Sequence, residues 1–126
     1  MSLALVDTSV WIDHLRHGDA ALVKLLEENL VVVHPMVIGE LALGNLRARR
    51  ELLEDLADLP SAPVATHEEV LLLIEHRRLH GTGLDLVDAH LLASALIAAD
   101  VRLWTRDRRL AEAAATASVG WRPSRG

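Results

Sequence analysis

The sequence predicts an α/β fold, with a central, mostly parallel sheet and helices on both faces. Three short runs, Leu3-Ala4-Leu5-Val6, Leu30-Val31-Val32-Val33 and Val101-Arg102-Leu103-Trp104, are almost wholly apolar and read as strands buried on both sides. Between them, apolar residues recur at helical spacing. Buried strands alternating with helices pack as a covered parallel sheet. The chain has 126 residues, 51% of them apolar, which suits one core and leaves no room for two. A single domain over residues 1–126 is expected.

Each element has its own signal. After the first strand, Asp7-Thr8-Ser9 leads into a helix starting at Ser9 and carrying Val10, Trp11, Ile12 and Leu15. His17-Gly18-Asp19 breaks it, and Asp19 caps a second helix with Leu22, Leu25 and Leu26 on one side. The second strand follows at 30–33. Pro35 suits the first turn of the next helix, which bears Val37, Ile38, Leu41 and Leu43. Residues 47–59 are amphipathic through Leu52, Leu53, Leu56 and Leu59, and Pro60 and Pro63 end them. Thr66 caps a helix apolar at Val70, Leu71, Leu73 and Ile74, broken by Gly81 and Gly83. Asp85 begins a helix that is apolar nearly all round to Ala99, so it should lie centrally. After the third strand, Asp107 opens a helix to about Ala115, and a last short strand is expected at 117–121.

Composition narrows the chemistry. No cysteine is present, which removes disulfides, thiolate zinc sites and cysteine nucleophiles and fits a cytoplasmic location. Residues 1–6 reach Asp7 too soon for a signal-peptide core. The apolar run at 86–99 contains Asp88 and His90 and is too short to span a bilayer. A formal net charge of −5 disfavours a nucleic-acid binder, but the charge is uneven: residues 101–126 contain six Arg against Asp107 and Glu112. Lys24 is the only lysine among thirteen basic residues, and Arg makes bidentate phosphate contacts that Lys does not.

Four acids stand out. Asp7 and Asp107 directly follow strands, and ligands of open parallel sheets bind beyond the strand carboxyl ends. Either residue alone also reads as a helix cap. Glu40 sits in Met36-Val37-Ile38-Gly39-Glu40-Leu41, an apolar helix where a buried carboxylate needs a cation or hydrogen bonds, although Gly39 and Ala42 leave open an exposed polar position. If Asp85 is an N-cap, Asp88 is the third helical residue, and the two form a capping pair. Carboxylates gathered in one crevice repel one another and raise each other's pKa. A hard divalent cation relieves this, and Mg²⁺ prefers oxygen ligands. Without cysteine or a suitably spaced His pair, zinc is disfavoured. Carboxylate-bound Mg²⁺ typically serves phosphate chemistry.

Asp7-Thr8-Ser9, Glu40 in Val37-Ile38-Gly39-Glu40-Leu41, Val87-Asp88-Ala89-His90-Leu91-Leu92-Ala93 and Leu103-Trp104-Thr105-Arg106-Asp107 follow in that order. Together they resemble a PIN domain, and within that group the VapC-type toxins of bacterial toxin–antitoxin pairs. The likeness covers essentially the whole chain. It implies an endoribonuclease dependent on Mg²⁺ or Mn²⁺, a cognate VapB-type antitoxin, cellular RNA as substrate and a homodimer. It implies that Asp7, Glu40, Asp88 and Asp107 carry the metal site, with Ser9 and Thr105 orienting carboxylates or water. Asp85 reads as a cap first and an auxiliary acid second. Trp11, one turn beyond Asp7, and Arg106 are the candidate RNA contacts, although Trp11 reads equally as a core or interface residue. Trp11, Ile12 and Leu15, with the apolar face of 47–59, are the surface expected to pair two copies.

Other readings are weaker. A phosphotransfer receiver needs a late-strand Lys, and a haloacid-dehalogenase-type phosphatase needs Asp where Ser9 stands. A PIN-like module that binds RNA or an antitoxin without cutting is the alternative of another class. A nuclease for DNA or structured substrates is the rival enzyme.

Overall fold

The structure is a computed structural model and describes residues 2–123. Along these residues the order is β1 (Leu3–Val6), α1 (Thr8–His17), α2 (Ala20–Glu27), β2 (Val31–Val32) and α3 (Pro35–Leu43). It continues with α4 (Arg49–Ala57), α5 (His67–His76), α6 (Leu86–Ile97), β3 (Val101–Trp104) and α7 (Arg108–Thr116).

The sheet order is β2-β1-β3 and every pairing is parallel. Leu5 pairs with Val32 on one side and Leu103 on the other. Parallel neighbours require crossover connections, and crossovers are right-handed. The β1-to-β2 and β2-to-β3 connections run in opposite directions across the sheet, so their helices cover opposite faces. That sandwiching leaves Ala4, Leu5 and Val6 fully buried. It also explains why the strands are apolar throughout rather than alternating.

The caps follow side-chain chemistry. Asp19 accepts from the Leu22 N–H and Thr66 forms a reciprocal capping box with Glu69. Pro35 occupies the start of α3 after His34. Helix α6 is buried from Ala89 to Ala95 and packs against β3, α5 and α7. The Ser94 hydroxyl donates to the Pro63 carbonyl, tying it to the preceding loop.

Three expectations change. Helix α5 ends at His76, one turn before the glycines. Arg78 takes a left-handed φ of 53°, while the Leu79 and Arg78 N–H groups return to the Ile74 and Glu75 carbonyls. This is a Schellman turn with arginine in the place glycine usually fills. Asn29 and Ser118 end α2 and α7 the same way. The strand expected at 117–121 reduces to one parallel bridge between Gly120 and Leu103, because the turn at Ser118 brings the chain alongside β3 for only two hydrogen bonds. The expected dimer surface is also redistributed. Trp11 is only 4% exposed and belongs to the core. Leu56 is buried, Leu52 and Leu59 pack partly against the core, and Leu53 is half-buried. Leu15 remains exposed as expected, and the other large exposed apolar side chains include Leu43, Leu71, Leu72 and Ile97. Among the described residues, no helix is long and apolar enough to cross a membrane.

Candidate active site

Strand pairing decides where the first and last acids go. β1 and β3 are adjacent and in register, with Val6 opposite Trp104, so Asp7 and Thr105 leave the sheet side by side. Asp7 is 6% exposed, and hydrogen bonds compensate its burial. Its Oδ1 accepts from the Thr8 N–H at 2.8 Å. Its Oδ2 accepts from the Ser9 hydroxyl at 2.8 Å and the Thr105 hydroxyl at 2.7 Å. Such a set fixes the carboxylate in one orientation.

Thr105 reaches both strand-end acids, since its oxygen also accepts from the Asp107 N–H at 3.0 Å. The Asp107 carboxylate accepts from the Leu110 N–H and caps α7. Ser9 accepts from the Arg106 N–H at 3.0 Å. Capping and clustering are thus compatible: the turns that start α1 and α7 also set the carboxylates at one end of the sheet.

Asp88 arrives from α6. Its Oδ2 accepts from the Asp85 N–H at 3.1 Å, while Asp85 Oδ1 accepts from the Asp88 N–H at 2.8 Å. Burial pushes the Asp88 carboxyl up to about 6, and the charges of Asp85, Asp107 and Asp7 add to the rise against the pull of the Asp85 N–H. Asp88 therefore feels both strand-end aspartates. Glu40 is exposed and joins through Thr8, whose hydroxyl donates to Glu40 Oε1 at 2.6 Å. Thr8 was not singled out from the sequence, yet its N–H and hydroxyl link Asp7 to Glu40. The available signal was a hydroxyl directly after the strand-end acid.

The donor set is all oxygen, which suits Mg²⁺ or Mn²⁺. Among the described residues, no group of three His, Asp or Glu side chains stands close enough to form a ready metal cage. A hydrated ion fits this arrangement, because Mg²⁺ keeps several waters and takes one or two carboxylates directly.

Two expected RNA contacts are corrected. Trp11 has no free ring face for a base, being packed in the core with its indole N–H buried and unpartnered. The Arg106 guanidinium is bound to Asp13 at 2.8 Å and to Asp19, and it lies 5.7 Å from the centre of the Trp104 ring. Those two carboxylates raise its pKa further. Arg106 clamps the start of α2 and the middle of α1 to the end of β3.

The core also holds a histidine pair that the sequence did not mark. His34 and His90 are buried, with ring centres 6.2 Å apart. Burial, with the charge of His90 adding to it, holds the His34 imidazole down at about 4. His34 Nδ1 accepts from the Met36 N–H and caps α3.

Comparison with known proteins identifies the family. The PIN domain profile matches residues 4–116. Ribonuclease VapC32 of Mycobacterium tuberculosis, from strains CDC 1551 / Oshkosh and ATCC 25618 / H37Rv, is 53% identical over 117 residues. The match covers 93% of this chain and 94% of that protein. The chain belongs to the PIN domain family, on its VapC-type branch.

Proposed function

We propose that this chain is an endoribonuclease acting as the toxin of a toxin–antitoxin pair, and that it hydrolyses RNA phosphodiesters with Mg²⁺ or Mn²⁺. The observation that carries the reading is that Asp7 and Asp107 follow paired strands at the carboxyl end of the sheet, with Asp88 of α6 near enough for their charges to add to the burial that pushes its carboxyl up to about 6. The 53% identity to a ribonuclease supports the same class of activity.

Asp7, Glu40, Asp88 and Asp107 are the residues that would hold the ion. When bound, it supplies Lewis acidity at the phosphate and offsets the charge that develops there. Thr8, Ser9 and Thr105 fix the Asp7 carboxylate through three hydrogen bonds, so that it does not reorganise as charge develops. Thr8 also holds Glu40 to that group. Asp85 acts as the helix cap that orients Asp88. A VapB-type antitoxin is the inhibitor, RNA places the enzyme in the cytoplasm, and two copies pair through exposed apolar residues.

Brief incubation of the purified chain with RNA, followed by mapping of the new ends, tests the reading. We expect cuts at defined positions with Mg²⁺ or Mn²⁺ and none with EDTA. Cleavage that survives EDTA refutes the metal assignment. Binding without cleavage favours a non-cutting module, and cleavage confined to DNA favours the rival nuclease. A monomer mass by light scattering at micromolar concentration refutes the dimer.

A further inference from the structure

Outside the acidic crevice, the described residues of α5, α6 and α7 line a basic cavity. It measures about 580 Å³ and is lined by His76, Arg77, Arg78, Thr82, Arg109 and Glu112 among others. Three arginines face one carboxylate, and that carboxylate is engaged by Arg108 at 3.2 Å. Among the described residues, Arg77, Arg78 and Arg109 make neither an ion pair nor a side-chain hydrogen bond. In a chain of net charge −5, so many uncommitted guanidinium groups in one place leave an unanswered positive field.

The cavity is built on the elements that carry the acids. Its floor is Leu92, one turn along α6 from Asp88, or about 6 Å along the helix axis. Arg109 stands in the first turn of α7, which Asp107 caps. The opposite wall, at the end of α5, is the Schellman turn that carries Arg77 and Arg78.

Arg109 is also positioned. Gly83 has a φ of +89°, and a Cβ there would lie 2.8 Å from Arg109 Cζ and 3.0 Å from its Cδ. The guanidinium thus rests against a backbone with no side chain, in the loop that leads to Asp85 and α6. Glycine both permits the left-handed turn and leaves room for the arginine.

We infer that this cavity binds the RNA backbone: a phosphodiester neighbouring the one at the acids sits among Arg77, Arg78 and Arg109. Arginine forks match phosphate oxygens bidentately. A chain whose catalytic end is acidic needs such a counter-site to hold a polyanion beside it. The inference rests on the nuclease reading but concerns binding, so the two are separable.

The test is fluorescence anisotropy with a labelled single-stranded oligoribonucleotide in EDTA, at several salt concentrations. Wild-type protein should bind, and the Arg77→Ala/Arg109→Ala double variant should bind at least tenfold more weakly. Its affinity should also depend less steeply on salt, because each lost phosphate contact on a single strand removes about 0.7 from the slope of log K against log salt. These side chains are exposed, so circular dichroism should be unchanged. Gly83→Ala keeps every charge but displaces Arg109, and it should weaken binding by a smaller factor; wild-type affinity there refutes the placement of Arg109. Wild-type affinity and slope in the double variant, or no binding by the wild type, overturns the inference. A double variant that keeps RNA affinity but loses an acidic antitoxin peptide reassigns the cavity to the antitoxin. If the wild type binds RNA through these arginines but never cleaves it with Mg²⁺ or Mn²⁺, the cavity stands and the nuclease reading falls.

Discussion

Replacing Asp88 with Asn should stabilise the metal-free protein while removing its nuclease activity. Burial and the neighbouring carboxylates push Asp88 up from the ordinary 3.8 to about 6, so its ionised form is disfavoured in the folded state. Asn keeps an oxygen to accept the Asp85 N–H and preserves the capping box. A rise of two pKa units corresponds to roughly 3 kcal/mol at about 1.4 kcal/mol per unit, and screening of a partly exposed group reduces this to about 1–2 kcal/mol. For a chain of this length that is a melting-temperature gain of about 5 °C. The size of the gain depends on pH. Because the folded pKa is raised, folded Asp88 binds its proton between pH 6 and 3.8 while the unfolded chain does not, and its penalty disappears as the pH falls through that window. Thermal melts in EDTA at pH 7.5 and pH 4 check this, alongside RNA cleavage at pH 7.5 with Mg²⁺. The gain should be present at pH 7.5 and nearly absent at pH 4. An equal gain at both values, or full cleavage by the variant, refutes the reasoning.

Asp7→Asn should also abolish cleavage, but with a stability cost of about 1–3 kcal/mol, because an amide cannot accept from Thr8, Ser9 and Thr105 at once; an active variant in the same cleavage assay removes Asp7 from the site. Thr105→Val should lower both the melting temperature and the cleavage rate, since it strips a hydroxyl from the buried Asp7 carboxylate, and unchanged kinetics would count against its orienting role. His34 works opposite to Asp88: its folded pKa is depressed to about 4, so the unfolded chain alone takes up a proton between pH 6.5 and 4, and stability falls as the pH drops through that range. Asp88→Asn, freed of the opposing carboxyl, should therefore show an acid-labile melting profile that His34→Leu abolishes; a flat profile in the single variant contradicts this. Finally, an antitoxin Arg placed among the acids would occupy the cation's position, so changing that Arg to Ala should restore cleavage in the complex while largely preserving binding, as a pull-down beside a cleavage assay would show.

The sequence by itself determined the strand–helix alternation, the caps at Asp19, Thr66 and Asp85, and the order in which the acids appear. These are local: a cap or an apolar period is decided within a few residues, and a run such as Leu3-Ala4-Leu5-Val6 has few alternatives to burial. It also marked Asp7 and Asp107 as strand-end acids, because the boundary between an apolar strand and a polar turn is visible in one dimension. Tertiary structure decided what those acids face. Only the pairing of β1 with β3 sets Thr105 beside Asp7, and only the helix crossing brings Asp88 near enough to feel both aspartates. Side-chain commitments were equally non-local. Arg106 reads as free for RNA until Asp13 and Asp19 fold against it, and Trp11 reads equally as an RNA contact and as a core or interface residue until the core closes over it. Helix ends at Asn29, Arg78 and Ser118 escaped notice because the left-handed turn is usually marked by glycine, and here hydrogen bonds to the preceding turn hold other residues in it. The basic cavity was invisible for the same reason as the site: Arg77 and Arg78 lie some thirty positions from Arg109 in the chain, and the ends of two helices bring them to opposite walls of one cavity.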